Sequence, residues 1–127
     1  MVAKLASSVK RVVEAKKTTE ALGKITANFS SKQLDKKFKH AADFGVDSTK
    51  KNPITLAQYE KAIKSHLSDA GTTEKGTYGF LKDSKVFFNS NTNNAVVLDK
   101  GGNFVTGFKL SPDSDQFVNY FKNGVLR

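Results

Sequence analysis

Cysteine and tryptophan are absent from the 127 residues, and histidine and proline occur twice each. Without thiols there is no disulfide framework, no iron–sulfur cluster and no thiolate zinc site, and two imidazoles, His40 and His66, are a poor supply of metal ligands. No metal and no cofactor are expected. No run of about 18 apolar residues is available for a membrane span. The N-terminus lacks an apolar stretch leading to a small-residue cleavage site, so the segment reads as mature, soluble protein, a piece of something longer. Arginine is scarce too: only Arg11 and Arg127 stand among the 21 cations, the rest being lysine. Point-charge contacts with phosphate are therefore favoured over bidentate reading of guanine edges.

What is present is ordinary globular composition, 38% hydrophobic and 26% charged, at a length that suits one domain with one core. The net charge is +9. Such an excess points to polyanionic partners: nucleic acid, an anionic membrane or an acidic protein. It is unevenly spread. Residues 1–64 hold fourteen Lys or Arg against six Asp or Glu, a net +8, whereas residues 65–127 are nearly neutral at +1.

Val2, Leu5, Ala6, Val9, Val12 and Val13 recur at helical spacing, so residues 2–22 read as a basic amphipathic helix that packs against the domain. Ser30 with Gln33 reads as a capping box for a second helix over 31–44, with Leu34, Phe38, Ala41 and Ala42 on its apolar stripe and Gly45 as its stop. Thr55 with Gln58, after Pro53, opens a third helix that carries Leu56, Tyr59, Ile63 and Leu67 on one face. From Gly76 the period becomes two. Four strands follow, over 77–81, 85–89, 95–99 and 103–110, and the Asn- and Gly-rich turns between them predict an antiparallel meander. Ser111-Pro112 announces a last helix containing Phe117, Tyr120 and Phe121. Helices, then a sheet, then one helix make an α+β domain without internal repeats.

No glycine-rich phosphate loop follows a strand, and neither His-x-x-x-His nor G-x-S-x-G occurs. The remaining chemical feature is Lys36-Lys37-Phe38-Lys39-His40. On an α-helix Lys36 and Lys37 share the neighbourhood of His40, whereas Lys39 projects about 100° away. Nearby cations push the imidazole below its ordinary pKa of about 6.5, which keeps it neutral and able to take a proton. RNA cleavage needs little more: the ribose 2′-hydroxyl is an internal nucleophile, and the protein must deprotonate it and stabilise the charge that builds on phosphorus. His66 falls beside Ile63 and Leu67 on the packed flank of the third helix and reads as structural.

Three blocks, Lys37-Phe38-Lys39-His40-Ala41-Ala42-Asp43-Phe44-Gly45, Gly76-Thr77-Tyr78 and Gly102-Asn103-Phe104-Val105-Thr106-Gly107-Phe108-Lys109-Leu110, resemble the nuclease domains of the colicin D family. The resemblance covers residues 30–127, leaving 1–29 as a linker or entry-region remnant. It implies a barnase/EndoU/colicin/RelE-like fold, with N-terminal helices on a four-stranded meander and a C-terminal helix. It also implies tRNA cleavage in the anticodon loop, in which His40 handles the 2′-hydroxyl proton, Lys37 and Lys39 hold phosphate, Thr106 donates to it and Phe108 stacks on a base. The family has Ser and Trp where this chain has Thr106 and Phe108. Thr106 and Phe108 lie two apart, which places them on one face of one strand. Lys36, Lys109 and Thr77 complete the expected substrate surface.

The same resemblance implies a monomeric toxin delivered into the cytoplasm of a target bacterium and held inactive in the producer by a cognate immunity protein. The +9 charge predicts that this protein is acidic. Two rival readings stand beside it: a non-catalytic basic module that binds nucleic acid, and a membrane-active domain led by helix 2–22. The absence of Trp and of a long apolar hairpin counts against the second.

Overall fold

The computed structural model describes residues 26–127; the helix expected over 2–22 lies outside them. The folded unit reaches back beyond residue 30. Asn28 exchanges backbone hydrogen bonds with the Gly102–Phe104 turn, and Phe29 packs on Phe104. Helix α1, Ser31–Lys37, is capped by Ser30, whose side-chain oxygen accepts from the Gln33 N–H at 3.1 Å. The reciprocal half of the expected capping box is missing, because the Gln33 amide donates instead to the Val105 carbonyl and ties α1 to a strand.

From Phe38 the expected continuous helix tightens into a 3-10 segment, Phe38–Phe44. On an α-helix Phe38 and Phe44 would point about 120° apart. Three residues per turn superimpose them, and both rings then pack on Tyr59 at 6.1 Å. The winding sorts the segment into rows. Phe38, Ala41 and Phe44 face the core, Lys37, His40 and Asp43 form a half-buried second row, and Lys39, Ala42 and Gly45 are exposed. Helix α2, Pro53–Ser68, is capped three residues earlier than the expected Thr55. Asn52 accepts from the Ile54 and Thr55 N–H groups while the Thr55 hydroxyl accepts from the Asn52 N–H. Tyr59, Ile63 and Leu67 are its buried face, as their spacing predicts.

The strands in chain order are β1 Thr72–Glu74, β2 Thr77–Tyr78, β3 Lys85–Asn89, β4 Asn94–Leu98, β5 Phe104–Lys109 and β6 Val125–Leu126, with helix α3, Asp115–Asn123, before the last. The main sheet is antiparallel throughout, in the order β1-β3-β4-β5. Its first strand is thus Thr72–Glu74 and not the expected 77–81. Chain leaving α2 reaches β3 at once, whereas Thr77 and Tyr78 are drawn off to pair in parallel with Val125 and Leu126. The α+β class and the four-stranded antiparallel sheet are as expected.

Both faces of the sheet are covered, so β4 is buried at every position instead of alternating. Phe87, Val96, Leu98 and Phe104 pack under α1, α2 and the 3-10 segment. Val86, Phe88, Ala95 and Val97 pack with Leu110, Tyr120 and Leu126 on the other side. Strand β5 is an edge, and α1 and the 3-10 segment run against it. A bulge shifts its register: Thr106 pairs with Val97 and Phe104 with Leu98, leaving Val105 over.

Candidate active site

The 3-10 winding decides which side chains accompany His40. Residues three apart eclipse, so Lys37, His40 and Asp43 stand in line along one row. His40 lies against Phe108 of β5, ring centroids 5.6 Å apart at an interplanar angle of 44°. Two hydrogen bonds fasten the end of the row to the sheet. The Asp43 carbonyl accepts from the Asn94 amide at 3.0 Å, and its carboxylate accepts from the Lys109 backbone N–H at 3.1 Å. Phe44 follows, seated over Gly107: a Cβ there would meet the ring at 3.1 Å. An imidazole, a cation, a carboxylate and an aromatic ring thus meet on the covered edge of the sheet.

Burial is the largest influence on His40 and lowers its pKa below 6.5; Lys39 and Lys37 lower it further, while Asp43 opposes them. A neutral imidazole is the resting form at neutral pH. Lys39 acts on the ring more strongly than Lys37, and Lys36 exerts its effect on Lys37, a reversal of the order expected from an α-helix. Lys37 is itself held below the ordinary lysine range, first by burial and then by Lys36 and Lys39. An anion placed beside Lys37 would relieve that cost.

Thr106 and Phe108 share a sheet face, as their spacing predicts, since they pair with Val97 and Ala95. Phe108 is half-buried, but Thr106 is only 2% exposed. The expectation of an open hydroxyl donor is not met in this conformation, because the far face of the sheet is covered too. Lys36, Lys39 and Lys109 are exposed. Thr77 is drawn elsewhere: its hydroxyl shares a hydrogen bond with Ser84 at 3.0 Å, and its strand packs with β3 and β6. His66 is 7% exposed and, as a neutral ring, donates from Nε2 to the Phe87 carbonyl at 2.8 Å, the structural part expected of it. Asp43 is the residue that sequence reasoning missed. Its place three positions after His40 was the available signal.

Among the described residues no group of three or more His, Cys, Asp or Glu is placed to hold a metal ion, and no helix is long and apolar enough to cross a membrane. The sequence model of the family described as Colicin D matches residues 33–120, which carry the whole of this site. The chain belongs to the colicin D family. It is similar to Colicin-D of Escherichia coli, 52% identical over 101 residues that make up 80% of this chain and 14% of that protein. It thus spans a small part of that relative's length. It is also similar to a solved structure described as a ribonuclease from Escherichia coli complexed with its inhibitor protein, with a TM-score of 0.72 and 52% identity over 74% of this chain and all of that one.

Proposed function

We propose that this colicin D family domain is a toxin ribonuclease that cleaves a tRNA anticodon loop without a metal ion. The observation that carries the reading is the row Lys37–His40–Asp43 set against Phe108 at the sheet edge. It is supported by the similarity to an Escherichia coli ribonuclease over all of that protein's chain. Neutral His40 takes the proton of the ribose 2′-hydroxyl, whose oxygen attacks the adjacent phosphorus. The imidazolium so formed is stabilised by the Asp43 carboxylate. Lys37 and Lys39 neutralise the charge on the pentacoordinate phosphate, with Lys36 and Lys109 as outlying phosphate contacts. The bond from phosphorus to the 5′-oxygen then breaks, and the leaving oxygen takes a proton, for which the acidified Lys37 ammonium is suited. Phe108 walls the pocket and offers a stacking face to a base. Thr106 supports Phe108 from the same strand face, and its hydroxyl reaches phosphate only once its cover moves.

The products are a 2′,3′-cyclic phosphate and a 5′-hydroxyl. Incubating the chain with total tRNA in EDTA and mapping the cut ends tests this. Scission in the anticodon loop with those ends is expected; RNA binding without scission would leave only a basic binding module, and loss of cutting in EDTA would overturn the metal-independent step.

The matched Escherichia coli structure is a complex with an inhibitor. For this chain the corresponding partner is an acidic immunity protein that covers Lys37 and His40 in the producing cell, the toxin acting in the cytoplasm of the target bacterium. Lys37→Glu is expected to weaken that complex by tenfold or more, about the coupling of a close interfacial charge pair, while the fold persists. Unchanged affinity would place the immunity surface elsewhere.

A further inference from the structure

Across Asp43 from His40 the surface opens into a cleft of about 470 Å³ between the end of α2, the 3-10 segment and the β3–β4 turn. Its polarity differs from that of the lysine row. Asp43 and Asp69 contribute carboxylates and Asn89, Asn91 and Asn94 carboxamides, with Lys109 as the one cation in its lining. Phosphate would be repelled by such a lining, whereas N–H donors would find acceptors. Phe44 and His66 also line the cleft, their rings meeting edge to face at 5.8 Å.

Asn94 is the independent observation. It is 6% exposed, and its Oδ1 is the one buried side-chain polar atom among the described residues that lacks a hydrogen-bond partner. The amide cannot usefully turn over. Its Nδ2 already donates to the Asp43 carbonyl, and reversal would set oxygen against oxygen. A fixed, buried acceptor without a donor is rare in folded proteins and asks for an explanation.

We propose that this cleft is a nucleobase subsite, taking a base that bears an exocyclic amino group and lies next to the cleaved phosphate. The amino group donates to the Asp43 or Asp69 carboxylate and, once the cleft lining shifts to uncover it, to Asn94 Oδ1, while the ring lies along Phe44. The volume falls within the range of small-molecule sites. Connection to the chemistry runs through Asp43, which belongs both to the cleft and to the His40 row. The inference deepens the ribonuclease reading and rests on it.

The test is titration of the isotope-labelled chain with inorganic phosphate and with three pairs of nucleoside 3′-monophosphates, cytidine against uridine, guanosine against inosine and adenosine against purine riboside. The members of each pair differ at the amino group. The amino member of at least one pair is expected to bind about fivefold more tightly or better, the worth of one added hydrogen bond, and to move the Asn94 side-chain amide resonances. Ser65→Tyr, which fills the cleft from the exposed side of α2, is expected to remove that preference while the response of His40 to inorganic phosphate persists. Equal binding within all three pairs, or Asn94 resonances that do not move, would overturn the subsite. Phosphate that leaves His40 unmoved would instead overturn the ribonuclease reading beneath it, a separate failure.

Discussion

His40 is governed by neighbours that differ in sign, and each can be removed alone. Burial and Lys39 hold its pKa below 6.5 and Asp43 pulls it up. In the proposed mechanism His40 is the general base and works in the neutral form, so the acid limb of the pH profile of kcat/KM should inflect below 6.5. Lys39→Gln should move that limb toward higher pH and Asp43→Asn toward lower pH. Profiles that do not move in these opposite directions would show that His40 is not the titrating base. Lys37, Lys39 and His40 were legible in the sequence because lysines crowding one histidine stand out without any knowledge of winding. Asp43 was not, because only the 3-10 winding brings a carboxylate three residues on into line with the imidazole. The burial of Thr106 was not legible at all: alternation assigns a residue to a face of a strand, and only the packing of α3 and β6 tells whether that face is open.

At the scale of elements, the site depends on the 3-10 segment ending where it does. Gly45 has φ +87°, and its N–H returns to the Ala41 and Ala42 carbonyls. Gly45→Ala forces a side chain into left-handed backbone and should cost about 1–2 kcal/mol. Gly107 is close-packed instead of twisted, and Gly107→Val drives branched carbons into the Phe44 ring, at about 1–3 kcal/mol. Chemical denaturation midpoints measure both, and a Gly107→Val protein as stable as the parent would contradict the seating of Phe44. Among the described residues, the helical stretch over 31–44, the helix after Pro53, three of the four expected strands and the last helix could be read from periodicity and turn chemistry. The 3-10 winding could not, because residues three apart are neighbours on either helix; what selects it is the shared contact of Phe38 and Phe44 with Tyr59, distant in sequence. Thr72–Glu74 is too short to show an alternation, and the cap of α2, Asn52, lies three residues before Thr55, which instead takes the third helical position of the box.

For the whole molecule, His66 links stability to pH. Burial lowers its pKa below the ordinary 6.5, while the Phe87 carbonyl and Asp69 pull the other way. The unfolded chain therefore takes the proton first. The stabilisation is complete above about pH 6.5 and is lost as the pH falls from there toward the folded-state value. Urea midpoints between pH 7.5 and 5.5 should decline accordingly, and His66→Gln should flatten most of the decline, with His40 supplying the remainder; an unchanged slope would contradict the burial. The +9 charge, read first as a taste for any polyanion, becomes more specific in the fold: the lysines of α1 and the 3-10 segment stand along one edge of a nearly neutral sheet, with the imidazole among them. On the proposed reading, catalysis and binding are separable on that edge. The decisive measurement is tRNA binding and tRNA cleavage, side by side in EDTA, for the parent chain and His40→Ala. The account predicts affinity unchanged within about threefold and a cleavage rate lower by about 10² to 10⁴, the range of a general base. Equal cleavage by both proteins, or cleavage by neither, would contradict it.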